Sequence, residues 1–390
     1  MTLNGVVKQL KNYQLGTGVP SVPQTNVVSP LFPGQFNYCL DEIHLSEKYG
    51  DFVNIGEDEH FQKIQPAIRL ADLDRFFHGK EHSDHHYAQF TIGTVNGGHV
   101  VSREQMPAYY EKAVAGVVDF LTDRVGLEKD RLVFTYFSGA MARDVEASRK
   151  KPGQLLKVEV EHYIPEDELS KRILFEMGFS ESQVIPCNTR DNYLTTNWYV
   201  FSAPWGYRNE ILYKTDDGRL LDIATIERLD TEPVIEERDG DKFVVGVKPL
   251  DRCWVIDACG LERVQLATAG GASIHELPEY AKLTKTGATL LQIESAKILH
   301  RVFTDSSWSE IKSEQRRRKL NKLTENLDPL TESEVVALLR LNAKNYQAVF
   351  SDLNAGVGKT IKEICDYRND CRDLGKEMKL KKKELIPGVK

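Results

Sequence analysis

Cysteine, tryptophan and long apolar runs are all scarce in this 390-residue chain. The six cysteines (Cys39, Cys187, Cys253, Cys259, Cys365 and Cys371) form no CxxC pair and no zinc-ligand spacing. Free thiols in a reducing compartment, the cytoplasm, are therefore the simplest expectation. No stretch approaches the ~20 apolar residues that span a bilayer, so no membrane role is expected. The first residues, MTLNGVVKQLKNYQLG, lack the apolar core of a signal peptide. A complete P-loop is missing too. Gly356 to Thr360 reads GVGKT, but the position where the motif needs its first glycine is Leu353, and a helical pattern precedes it. Gly356 and Gly358 are expected instead to stop one helix and start another.

What is present is an ordinary globular composition, 41% hydrophobic and 28% charged, long enough for two or three domains. The net charge of −7 is unevenly placed: residues 281–390 carry 22 Lys and Arg against 15 Asp and Glu, leaving the first 280 at −14. A basic C-terminal third hints at an anionic partner. Residues 1–35 read as an irregular arm with a short strand near Val27 and Val28. Ile64–Leu73 and His85–Val95 read as strands joined by a charged loop, with Arg69 inside the first. An arginine there is costly unless it is ion-paired, with Asp72 or Asp74 for example, or binds an anion. His82, Asp84, His85 and His86 hint at a metal, but neighbouring strand residues face opposite ways and the ligand spacing is not a standard one.

Ser102–Val125 has helical periodicity with a capping signature at Ser102, Glu104 and Gln105. Strands are expected at Leu132–Phe137 and Val158–Ile164, then a helix over Glu166–Met177 stopped by Gly178. The middle of the chain reads as antiparallel strands: Glu210–Tyr213, Leu220–Leu229, Phe243–Val247 and Cys253–Ile256. Strict alternation over Leu220–Leu229 puts Asp222, Ala224, Ile226 and Arg228 on one face. After Leu277 the pattern is helical, with a capping box at Thr331 and Glu334, and a domain boundary falls near 278–285. Organisation is thus an N-terminal arm and domain start (1–60), a mixed α and β domain (61–280) and a helical domain (281–390).

The stretch Trp254–Val264, WVIDACGLERV, carries most of the chemistry. A β-branched and aromatic run (Trp254, Val255, Ile256) ends at Asp257, turns through Ala258, Cys259 and Gly260, and opens a helix with Leu261, Glu262 and Arg263. A strand passing through glycine into a helix that bears an arginine aims fixed positive charge and N–H groups at a phosphate. An ordinary strand–helix junction with a surface Glu–Arg pair reads equally well from these residues alone.

Several segments then line up in order: QPAIR at Gln65–Arg69 with ADLD at Ala71–Asp74; His86 and Phe90 at a His-x-x-x-Phe spacing; EILYK at Glu210–Lys214; DIATI at Asp222–Ile226; and Asp257 with GLER at Gly260–Arg263. The set resembles the catalytic domain of archaeal-type alanyl-tRNA synthetase over about residues 60–280. The resemblance implies a class II synthetase-like α+β fold, an antiparallel sheet with flanking helices, followed here by an α-helical C-terminal domain. It assigns Arg69 to the α-phosphate of ATP and Arg263 to the γ-phosphate, Phe90 to stacking on adenine, and Asp72, His86 and Thr225 to the nucleotide site. Asp222, with Glu210, would hold Mg²⁺. Trp198, Glu210, Glu227 and Asp257 would line the substrate pocket, Asp257 taking the α-ammonium group.

The chain also departs from the family pattern. The loop after Arg69 is longer, His85 replaces an arginine, and the carboxylate expected after Phe90 is absent. One residue is missing between Asp257 and Gly260, and Glu227 replaces a small apolar pocket residue. A carboxylate there suits a substrate with a basic or polar group, unless the strand is shifted and Glu227 faces solvent. The editing domain is not recognisable. The expected function is an adenylate-forming ligase: ATP and Mg²⁺ activate an amino acid or related carboxylate, and the acyl group passes to tRNA or to a non-tRNA amine or carrier. The alternative is a non-catalytic regulator or RNA-binding protein built on the same fold. Arg316, Arg317, Arg318, Lys319 and Lys322 would serve tRNA, and a homodimer is common for the class.

Overall fold

The computed structural model describes residues 1–29, 36–37, 40, 42–50, 55–70, 87–148, 156–195, 203–271, 273–305 and 313–385. Its strands are β1 (Glu59–Phe61), β2 (Ile64–Ile68), β3 (Gln89–Gly93), β4 (Gly98–Ser102), β5 (Leu132–Phe137), β6 (Ala140–Met141), β7 (Lys157–Val158), β8 (Tyr163–Ile164), β9 (Val184–Cys187), β10 (Tyr193–Leu194), β11 (Trp205–Lys214), β12 (Leu220–Arg238) and β13 (Asp241–Gly260). All but β6 and β8 join one sheet, ordered β1-β4-β13-β12-β11-β5-β9 along its main path. Neighbours along this path are antiparallel except β5–β9, and β7 joins β13 in parallel. The expected α+β class, a largely antiparallel sheet with flanking helices and a helical C-terminal part, is what the chain adopts.

The chain divides into two compact units that interleave along the sequence. The first holds residues 1–25, 39–65 and 91–273; the second holds 26–38, 66–90 and 274–390. In the first unit the long hairpin β12–β13 forms the spine, and β11 flanks it. Phe243–Val247 and Cys253–Ile256, expected as separate strands, are one continuous strand.

The N-terminus is a helix, Leu3–Thr17, rather than an irregular arm. Leu3, Val6, Val7 and Leu10 bury one face, the Thr2 side chain caps the start, and Gly18 at φ +72° closes the end. The helix expected from Ser102 begins at Met106. Its capping signature sits one turn earlier, where the Ser102 N–H and Oγ–H both donate to Gln105 Oε1.

In the second unit the helices are Pro278–Thr284, Leu290–Thr304, Glu314–Glu325, Glu332–Asn345 and Leu353–Leu385. The Thr331–Glu334 capping box forms as expected. Gly356 and Gly358 neither stop nor start a helix, because both lie inside Leu353–Leu385. A Cβ on Gly356 would meet Thr304 Oγ1 at 2.0 Å, so this glycine serves close packing on the helix Leu290–Thr304. Val27 and Val28 are buried without forming a strand.

A buried polar group pins the covered face of the sheet. Arg228, 8% exposed, donates to Asp167, 1% exposed, at 2.6 Å. Its guanidinium lies 4.3 Å from the Tyr207 ring centroid. Asp167 also caps the helix Glu168–Glu176 by accepting the Ser170 N–H. Asp167→Ala removes the cap and the shorter of the two carboxylate contacts of buried Arg228, leaving only Asp230 at 3.7 Å, and the expected loss is about 3 kcal/mol of unfolding free energy in urea. A loss below ~1 kcal/mol, the scale of an exposed pair, would contradict this role.

Candidate functional site

The open face of the first unit's sheet depends on one irregularity of register. Leu212 pairs with Asp222 but Ile211 pairs with Ala224, so Ile223 is an extra residue in β12. This bulge reverses the alternation that the sequence implies. Asp222 does not share a face with Ala224, Ile226 and Arg228. It stands instead with Thr225 and Glu227 on the open side, while Ala224, Ile226 and Arg228 are buried on the other. Arg208 and Glu210 on β11 join the open face, opposite Glu227 and Thr225 respectively. Ile256 and Ala258 of β13 lie beside Glu227 and Thr225 and belong to an apolar cluster with Trp254, Leu229 and Phe61.

This brings together Glu210, Asp222, Thr225, Glu227 and Arg263 from the expected set. Arg263 donates to the Asp222 carboxylate at 2.6 Å and to its carbonyl at 3.2 Å. Arg208, which no motif marks, is central. Its guanidinium pairs with Glu210, lies 4.0 Å from Glu227 and donates to the Asp191 carbonyl at 3.0 Å. Its position two residues before Glu210 on a strand was the available signal. Burial works against the Arg208 charge, but Glu210, Glu227 and Asp222 together push its pKa above the ordinary arginine value. Burial, with help from Asp222, pushes the Glu210 carboxyl up while Arg208 opposes the shift. Glu210 Oε2 is buried and accepts no hydrogen bond from the described residues. Glu227, 23% exposed, stands opposite Arg208 on this face.

Asp257 falls elsewhere. The strand β13 does not turn at Asp257; it runs through Gly260 directly into the helix Leu261–Thr268. Asp257 therefore points to the covered face, paired with Ile226, at 0% exposure. Its carboxylate accepts the N–H groups of Val95 and of Asn96 (2.8 Å) and the Asn96 side-chain amide (3.0 Å). A buried carboxylate engaged on three N–H donors is not available to a substrate ammonium, contrary to the role expected of Asp257. Glu262 of the GLER segment is likewise structural. It is 2% exposed and accepts the Thr91 N–H at 2.7 Å and the Thr91 hydroxyl at 3.0 Å, which ties β3 to the helix that carries Arg263.

Arg69 and Phe90 belong to the second unit. Arg69 lies just past the end of β2 rather than inside a strand, is exposed, and donates its backbone N–H to the Ala88 carbonyl at 2.8 Å. Phe90 is half-buried on β3. Asp72, His86 and Trp198, together with the His82–His86 cluster, lie outside the described residues. Of the basic residues expected to serve RNA, Arg316 is buried at 2% exposure, and burial lowers its pKa. Arg317, Arg318 and Lys322 are exposed. Among the described residues no group of three or more His, Cys, Asp or Glu could hold a metal, and no helix is long and apolar enough to cross a membrane.

Solved structures similar to this chain include apo histidyl-tRNA synthetase from S. aureus, at 12% identity and a TM-score of 0.39, covering 70% of this chain and 68% of that one. Another is described as the RNA binding domain of threonyl-tRNA synthetase from Cryptosporidium parvum Iowa II, at 12% identity and a TM-score of 0.38, covering 68% of this chain and 62% of that one. Likeness at this level carries no argument about activity. No protein-family model and no curated protein matches the chain.

Burial pushes the Asp257 carboxyl up to about 6, against the lowering effect of its N–H partners. Between ~4 and ~6 the folded chain holds this proton and the unfolded chain does not, so Asp257 favours folding at low pH and loses that contribution as pH rises through about 6. Unfolding free energies of the wild type minus those of Asp257→Asn should fall by roughly 2–3 kcal/mol between those pH values. A pH-independent difference would contradict the assignment.

Proposed function

We propose that the chain activates an amino acid or related carboxylate as its acyl-adenylate with ATP and Mg²⁺, then passes the acyl group to tRNA or to a non-tRNA amine or carrier. The carboxylate oxygen attacks the α-phosphorus and pyrophosphate leaves; the acceptor then attacks the acyl carbon and AMP leaves. The observation that carries this reading is the open face on which Arg263, at the start of its helix, meets Asp222 beside Glu210, Thr225 and Glu227. Guanidinium groups suit the charge that builds on a transferring phosphoryl group and its leaving group. Arg263 would hold the γ-phosphate and Arg69 the α-phosphate, with Phe90 on adenine, all by the resemblance to the alanyl-tRNA synthetase catalytic domain.

Glu210 and Asp222 fit Mg²⁺. Both are hard oxygen donors, and Glu210 Oε2 is buried with no hydrogen-bond partner among the described residues. Mg²⁺ takes one or two carboxylates together with substrate phosphates. When bound, it would neutralise charge on the phosphates. Glu227 would face the substrate side chain, beside Ile256 and Ala258. A carboxylate there disfavours a methyl group and suits a basic or hydrogen-bonding one, so alanine is not the proposed substrate. Arg317, Arg318 and Lys322 would serve a tRNA acceptor.

One observation favours the non-catalytic alternative: the Arg263 guanidinium is engaged by Asp222. ATP–pyrophosphate exchange against the amino acids, without tRNA, separates the two. One amino acid with a basic or polar side chain should stimulate exchange. Arg263→Ala should lower the rate about 100-fold or more. Exchange with no amino acid would leave the regulator reading in place, and exchange with alanine would contradict the role given to Glu227.

A further inference from the structure

In the second unit, the backbone next to Phe90 is gripped by a buried ion pair. Glu294 and Lys297, one turn apart on the helix Leu290–Thr304, are 0% and 1% exposed and meet at 2.6 Å. Glu294 Oε2 accepts the N–H groups of Ala88 (2.8 Å) and Gln89 (3.1 Å). Lys297 Nζ donates to the Gln89 carbonyl at 3.0 Å. The Ala88 carbonyl in turn accepts the Arg69 N–H at 2.8 Å. The other side of the pair is closed by the Tyr280 hydroxyl, which bonds Glu294 Oε1 and also receives Lys297. The rings of Tyr87, Tyr280 and Tyr346 stand 4.9–5.6 Å from the ammonium.

A buried ion pair is a weak source of stability, since apolar residues of similar volume often do as well. This pair does what apolar residues do not: it holds three polar groups of two consecutive backbone residues, and through Ala88 it reaches the residue that bears the Arg69 guanidinium. We propose that Glu294 and Lys297 are positioning residues for nucleotide binding, fixing the backbone from which Phe90 and Arg69 project. The proposal rests on the adenylation reading, which gives those two side chains to adenine and the α-phosphate. Neither Glu294 nor Lys297 needs to touch the nucleotide.

The test is ATP binding by the 390-residue chain, monitored by fluorescence titration, with amino-acid KM from pyrophosphate exchange alongside. The variant is Glu294→Leu with Lys297→Met, which swaps the pair for an apolar one. The account expects cooperative unfolding, a Kd for ATP raised roughly 10- to 100-fold, the cost of slightly misplaced binding groups, and an unchanged KM for the amino acid. Glu294→Gln keeps the shape and one oxygen for the backbone amides, and its ATP affinity should fall between the two. A folded double variant with wild-type ATP affinity overturns the proposal. If the double variant does not fold, Glu294→Gln decides by hydrogen exchange at the amides of Arg69, Ala88 and Gln89. Lost protection with weaker ATP binding supports the proposal, and lost protection with unchanged binding overturns it. A wild-type chain that binds no ATP overturns the adenylation reading itself, and this inference with it.

Discussion

One extra residue in β12 determines what the open face of the sheet presents. Ile223 and Ala224 together oppose Ile211, and the phase of the strand reverses between Asp222 and Thr225. Without the bulge, Asp222 would lie on the side that holds Ile226 and Arg228, where a carboxylate would be buried. With it, Asp222 reaches Arg263, and a row of polar side chains runs from Arg208 through Glu210 and Glu227 to the start of the helix Leu261–Thr268. Burial pushes the Glu210 carboxyl up to about 8, so at neutral pH the row of two arginines and three carboxylates lies close to zero net charge.

The polar groups behind the sheet hold these elements in place. Asp257 ties β13 to the segment Val95–Asn96, and Asn96 reaches on to the Ala113 carbonyl in the helix Met106–Asp119. Glu262 ties the helix that carries Arg263 to Thr91. In both cases a buried carboxylate satisfies backbone N–H groups that would otherwise be costly to bury. Two acidic residues within six positions of each other thus serve scaffolding, while Arg263, next to Glu262, turns to the open face and meets Asp222.

Much of the fold was legible from periodicity and capping. The strand Leu132–Phe137, the helix after Asp167, the capping box at Thr331 and the helical C-terminal part follow from local patterns. The N-terminal helix was obscured because Gly5, Asn4 and Asn12 argue against helix while the buried Leu and Val spacing argues for it; tertiary burial decides. The candidate site was half legible. Arg263, Glu210 and Glu227 could be picked out by motif and resemblance. The bulge could not, because nothing in the run LLDIATIERL marks Ile223 as the inserted residue. The extension of β13 through Gly260 was likewise hidden by a glycine that looks like a turn, and with it the true direction of Asp257.

The central claim, that the open face is a site for an adenylate, is tested most directly by a crystal structure with a non-hydrolysable acyl-sulfamoyl adenosine and Mg²⁺–pyrophosphate. The account predicts pyrophosphate within hydrogen-bond distance of Arg263, displaced from Asp222, with the metal on Asp222 and Glu210 and the acyl side chain against Glu227. An unoccupied open face at saturating ligand, with the Arg263–Asp222 pair intact, would contradict it.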